Sequence, residues 1–165
     1  MAEYYSLLLP WRLGLVSRDE LLEQLNEKAE RYYRSPCREY PNLKLGDLLF
    51  HDLEATDVPY GRGLFYLMEV DERIRTKTSG KYCLDDVMKE LLHRYRRDPL
   101  IQNRAWLEAV SKVAGYDETE RFLAMCQGAV IPPVLSCFGE AGLTAEKVDA
   151  FTRRDHTPCQ TYRIF

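Results

Sequence analysis

The sequence predicts an all-α fold, a compact array of about six to eight helices, and three observations carry that prediction. Apolar residues recur every three to four positions in segment after segment. Glycine, proline and Ser/Thr/Asp residues stand between those segments where helices stop and start. No internal repeat, low-complexity tract or linker interrupts the order, so 1–165 reads as one helical domain with short connections.

Taken in order, Tyr5, Leu8, Leu9 and Leu13 predict a first helix over about residues 3 to 15, stopped at Gly14 by a left-handed cap. Ser17-Arg18-Asp19-Glu20 has capping-box spacing and opens a second helix, which carries Leu21, Leu22, Leu25, Ala29 and Tyr33 and closes before Pro36. Residues 36 to 58 read as a loop with one helical turn near Leu48-Leu49-Phe50. Asp57 is the expected cap of a third helix, with Pro59 in its first turn and Leu64, Leu67, Met68 and Ile74 behind it, running to about Lys77.

Beyond the Ser79-Gly80 turn, Leu84, Val87, Met88, Leu91, Leu92 and Tyr95 predict a fourth helix ended by Asp98-Pro99. Trp106, Leu107, Val110 and Val113 predict a fifth, stopped by Gly115. Asp117-Glu118-Thr119-Glu120 again has capping-box spacing, for a sixth that runs to Gly128. Val130-Ile131 is expected extended, 133 to 141 as a short helix, and Thr144 as the cap of a last helix through Phe151. The tail 155–165 shows no period and is expected to be irregular.

Composition narrows the function. Apolar residues at 45% and charged residues at 30% are a folding balance, far from the disordered corner. A net charge of −3 supplies no basic field for phosphates, so nucleic acid is not an expected partner. The clusters Arg94-Tyr95-Arg96-Arg97 and Arg153-Arg154 are expected at helix ends. Five cysteines without Cys-x-x-Cys spacing read as reduced thiols, with Cys83 and Cys126 as inert core thiols away from any helix start. Pro10, Arg12 and Glu3 break up Leu7-Leu8-Leu9, so neither signal peptide nor membrane span is expected, and the location is expected to be cytoplasmic.

Three stretches are similar to one known family. They are Glu3-Tyr4-Tyr5 through Leu13-Gly14-Leu15; Tyr60-Gly61-Arg62-Gly63 through Arg73-Ile74-Arg75 to Ser79-Gly80-Lys81-Tyr82-Cys83-Leu84-Asp85-Asp86-Val87-Met88; and Ala114-Gly115-Tyr116-Asp117 with Gly128 and Ala141-Gly142-Leu143. Together, over about residues 3 to 143, they resemble the helical part of the catalytic domain of the glycyl aminopeptidase family, thermolysin-like zinc metallopeptidases usually followed by a PDZ domain. Arg62 stands at that family's usual Lys, and Glu69 and Glu72 at positions expected to be apolar. A zinc hydrolase of this type needs two histidines one turn apart with a glutamate between them. His51, His93 and His156 lack that spacing, and the resemblance starts after the family's last zinc ligand, so no zinc site, and no other cofactor, is expected.

The resemblance implies a role for Tyr60, the match to the tyrosine that steadies the oxyanion in related aminopeptidases. A phenol can donate to a developing negative charge or pass a proton without metal. His51, in the loop before it, is the expected catalytic companion. Gly63 would admit a ligand close to the backbone, and Tyr5 and Tyr66 are aromatic rings suited to a small apolar molecule. Asp71 matches an acidic family position, with a solvated pair to Arg75 as its expected state. The expected function is therefore metal-independent acid/base chemistry, an isomerisation or cyclisation of an apolar, natural-product-like substrate. The alternatives are a binding or homodimerising module and an excised piece of a zinc aminopeptidase.

Overall fold

The computed structural model describes residues 1–96 and 102–165, so the expected Asp98-Pro99 stop and Arg97 lie outside the described residues. Among the described residues seven α-helices run in chain order: α1 Ala2–Arg12, α2 Arg18–Tyr33, α3 Asn42–Leu48, α4 Leu53–Lys77, α5 Leu84–Tyr95, α6 Asn103–Ala114 and α7 Thr119–Cys126. A short 3-10 segment, Ser136–Ala141, kinked at Gly139, precedes two strands, β1 Ala145–Phe151 and β2 Pro158–Ile164. The fold is mainly helical rather than all-α.

Helix α4 is the axis of the molecule and packs against α1, α2, α3, α5, α6 and the 3-10 segment. It buries Val58, Leu64, Phe65, Leu67, Met68, Val70 and Ile74, a stripe too wide for one neighbour and suited to a central helix. Its N-cap is Asp52, whose carboxylate accepts from the Glu54 amide at 2.9 Å and the Ala55 amide at 3.4 Å. The expected cap at Asp57 is therefore five residues too late, and Pro59 lies inside the helix rather than in its first turn. Asp57 instead faces Arg153 at 3.0 Å.

The capping box at Ser17 is formed as the spacing predicts: the hydroxyl accepts from the Glu20 amide at 3.2 Å, and the Glu20 carboxylate accepts from the Ser17 amide at 2.7 Å. Ser17→Ala is expected to cost about 1 kcal/mol in urea unfolding. Gly14 and Gly115 take the predicted left-handed backbone, φ 65° and 72°. Asp117 and Glu118 differ from the sequence reading. Asp117 caps locally, accepting from the Thr119 amide at 2.9 Å, while Glu118 turns inward and no capping box forms.

The last expected helix and the irregular tail are instead an antiparallel hairpin, with Ala145 opposite Ile164 and Phe151 opposite Pro158. Its outward side is fixed by Asn26 of α2, which donates to the Ile164 carbonyl and accepts from the Ile164 amide, both at 2.9 Å. The Asn amide thus copies one rung of a ladder. The Arg153-Arg154 cluster sits at the hairpin turn, not at a helix end. There Arg153 pairs with Glu54 at 2.9 Å and Arg154 with Asp52 at 2.8 Å, so the turn's cations meet the acidic start of α4.

The loop 35–41 is held from two sides. Arg62, 1% exposed, donates from Nη2 to the carbonyls of Arg38 (2.7 Å) and Tyr40 (2.8 Å), and from Nη1 to Asn42 Oδ1 (2.6 Å). From the other side Gly128, φ 100°, lies so close to the loop that a Cβ there would stand 2.1 Å from the Glu39 carbonyl oxygen.

Candidate functional site

One face of α4 borders two cavities that share Gly63 and Met125. The first, about 310 Å3, lies among Tyr66, Leu67, Leu91, Trp106 and Phe122, where α4, α5, α6 and α7 come together. The second, also about 310 Å3, lies among Leu45, Leu49, Pro59 and Arg62, between α3 and α4. Each is at the lower end of the range for small-molecule sites, and both are walled mostly by apolar side chains.

The polar groups of the first cavity form a chain. Trp106 Nε1 donates to the Tyr66 hydroxyl at 3.1 Å, and that hydroxyl donates to Glu118 Oε1 at 3.0 Å. Glu118 is fully buried, and its other oxygen pairs with Arg73 Nη1 at 2.9 Å. The Arg73 guanidinium lies over the Tyr116 ring, 4.7 Å from its centroid. Beside this chain Arg121 grips Glu69 with both Nε and Nη2, the shortest contact being 2.6 Å. Arg73 and Glu69 of α4 thus reach across to the turn before α7 and to α7 itself.

Burial dominates the protonation of this chain. It raises the Glu118 carboxyl above its ordinary value of 4.5, against the pull of Arg73 and the Tyr66 hydroxyl, which favour the anion. Burial raises the Tyr66 phenol as well, and the Glu118 charge adds to the rise. A carboxyl whose folded affinity for protons exceeds its unfolded one contributes stability below about pH 4.5, and that contribution is lost as pH climbs through the folded value. Glu118→Gln, which cannot ionise, is expected to gain on the parent protein as pH rises through that window. Urea unfolding between pH 4 and pH 8, roughly the span the linkage argument covers, reads the effect.

The residues singled out in sequence go to different places. Gly63 and Tyr66 line the same cavity. Tyr60 is 57% exposed and borders a separate recess with Glu3, Lys28, Arg31 and Asp57. His51 is exposed in the turn between α3 and α4, and among the described residues no hydrogen bond joins it to Tyr60. Tyr5 donates to Asp85 Oδ1 at 2.9 Å, which ties α1 to the start of α5. Asp71 is not solvated: it is fully buried, accepts from the Leu84 amide at 2.7 Å, and holds Arg75 Nε at 2.7 Å. The pairing with Arg75 is as expected, but the burial is not, because the carboxylate also serves the free amide at the start of α5.

Cys83 also departs from its expected place, since it is the N-cap of α5. Burial nonetheless raises its thiol pKa, so proximity to a helix start does not make it a thiolate. Among the described residues no three His, Cys, Asp or Glu side chains gather as a metal site, and no helix is long and apolar enough to cross a membrane.

Glu118, Trp106 and Arg62 were not singled out as site residues. Glu118 stands within capping-box spacing, which hides it, and the one signal that could have marked it is its place between the aromatic residues Tyr116 and Phe122. Compared with known proteins, the chain matches no family model and no curated protein.

Proposed function

We propose that the protein is a non-proteolytic enzyme that holds a small apolar molecule in the cavity beside Tyr66 and moves a proton on it, an isomerisation or cyclisation needing no redox partner. The observation that carries this reading is the fully buried Glu118 carboxylate joined to the cavity wall through the Tyr66 hydroxyl. As a proton leaves the ligand for the Tyr66 oxygen, the tyrosine's own proton passes to Glu118, whose protonated form burial favours. Trp106 Nε1 holds the tyrosine oxygen in line throughout. Returning the proton to a different ligand atom completes an isomerisation.

A direct test is deuterium exchange into an unsaturated ketone probe in heavy water, followed by proton NMR. Tyr66→Phe and Glu118→Gln are each expected to slow enzyme-dependent exchange by about 100-fold or more. Tyr60→Phe and His51→Ala are expected to retain it. Exchange at the parent rate in Tyr66→Phe overturns the assignment, and loss confined to Tyr60→Phe moves the chemistry to the recess at Tyr60.

A second reading, association between copies of the chain, is favoured by one observation. Leu43 at the start of α3, and Phe50 and Leu53 at the turn that joins α3 to α4, are 87%, 92% and 86% exposed, and Phe50 is held at φ 69°. Sedimentation of the parent protein and of Phe50→Asp tests it, with a concentration-dependent dimer lost in the variant as the supporting result.

A further inference from the structure

Gly63 is the starting point. It lies in the interior of α4 with ordinary helical backbone, where glycine is less favourable than alanine, and, the backbone of α4 itself aside, no atom of the described residues lies within 4 Å of the Cβ it lacks. Neither backbone geometry nor packing within the described residues asks for a glycine there. Gly61, one position from Arg62, is the contrast, since its missing Cβ would stand 2.4 Å from the Tyr32 Cβ. A side chain at position 63 would border both cavities, because Gly63 lines each of them.

The second cavity differs from the first in its electrostatics. Its wall includes Arg62, whose donors meet two backbone carbonyls and a side-chain amide oxygen, and no carboxylate pairs with it among the described residues. Carbonyls satisfy the hydrogen bonds of a guanidinium but leave its net positive charge uncancelled. In a buried setting that charge acts over several ångströms, since the local dielectric screens it poorly. In the first cavity the charged group behind Tyr66, Glu118, is instead paired with Arg73.

We infer that the natural ligand is an elongated apolar carboxylic acid. Its carboxylate lies on the Arg62 side, and its chain crosses the α4 backbone at Gly63 into the cavity of Tyr66 and Trp106. This rests on the proposed proton-transfer site and adds the class and pose of the substrate. The pose brings an interior segment of the chain to the Tyr66 oxygen. Reaction is then expected within the chain, at a C–H made acidic by an interior unsaturated carbonyl, rather than at its head.

The test uses oleate as probe, with octanoate and oleyl alcohol as controls, measured by isothermal titration on the full chain. Oleate is expected to bind at least ten times more tightly than either control. Gly63→Ala is expected to raise Tm by about 2–4 °C, as relief of a helix glycine would. Gly63→Leu is expected to fold and to weaken oleate at least tenfold. Because Arg62 variants threaten the fold itself, oleyl alcohol tests the charge from the ligand's side. Equal affinity for oleate and oleyl alcohol overturns the carboxylate, and parent affinity in Gly63→Leu overturns the crossing. Tyr66→Phe separates the two proposals: oleate binding kept with deuterium exchange lost supports both. Exchange kept in Tyr66→Phe with oleate binding lost in Gly63→Leu leaves the ligand standing and removes the proton-transfer reading.

Discussion

Gly128→Ala is expected to lower stability by about 2–5 kcal/mol, a large loss for the addition of one methyl group. Two costs add. An alanine at φ 100° is strained by roughly 1–2 kcal/mol, the penalty of left-handed backbone for an L side chain. The methyl group would also sit 2.1 Å from the Glu39 carbonyl oxygen, 2.7 Å from its carbon and 3.2 Å from the Tyr40 carbonyl carbon. These are backbone atoms that cannot swing aside, and overpacking of this kind costs roughly 1–3 kcal/mol or more. Gly115→Ala is the control: φ is 72° but nothing lies within 4 Å, so only the strain, about 1 kcal/mol, should appear. Urea titration of the two variants separates strain from collision, and equal losses would mean that the loop 35–41 yields.

Arg62→Met, which keeps much of the volume, is expected to cost about 3–5 kcal/mol in the same titration. It leaves the carbonyls of Arg38 and Tyr40 and the Asn42 side chain without their donor, each worth roughly 1–3 kcal/mol when buried. Some of that returns as water enters the adjoining cavity. Arg62→Lys should recover only part of the loss. A single ammonium at the end of a flexible stem cannot meet three acceptors that the flat guanidinium reaches together. A fully stable lysine variant would show that charge alone, not the fork, holds the loop.

These two positions also mark how far the sequence could be read. Helix α2 was legible because its signals are local, Ser17 to Glu20 for the start and the Leu21, Leu25, Ala29 stripe for the buried face. Gly14 and Gly115 were legible as stops for the same reason. The start of α4 was not, because Pro59 fits a first turn equally well and drew the boundary away from Asp52, a competent cap. The hairpin was hidden by its uneven burial: in β2, Cys159 and Ile164 are buried with four exposed or half-buried residues, 160–163, between them, so no period of two shows in the letters.

The site was legible only in part. Gly63 and Tyr66 share a helix and a spacing of three, so their common cavity followed from the helical period. Glu118 and Trp106 reach Tyr66 from 52 and 40 residues away, and no local pattern carries that information. Asp71 was paired correctly with Arg75 but placed in water, since its second partner is a backbone amide, which every residue but proline offers and no sequence advertises.

The clasp between Asn26 and Ile164 has a consequence for biosynthesis. Residue 26 leaves the ribosome long before residue 164 is polymerised, so the α2 surface that β2 covers stays bare for most of translation. Tyr33, whose ring meets Tyr162 at 4.8 Å, is among the groups left waiting. Chains arrested short of the hairpin should bind holdase chaperones and digest readily at α2, whereas full-length chains released from the ribosome should resist protease once that surface closes.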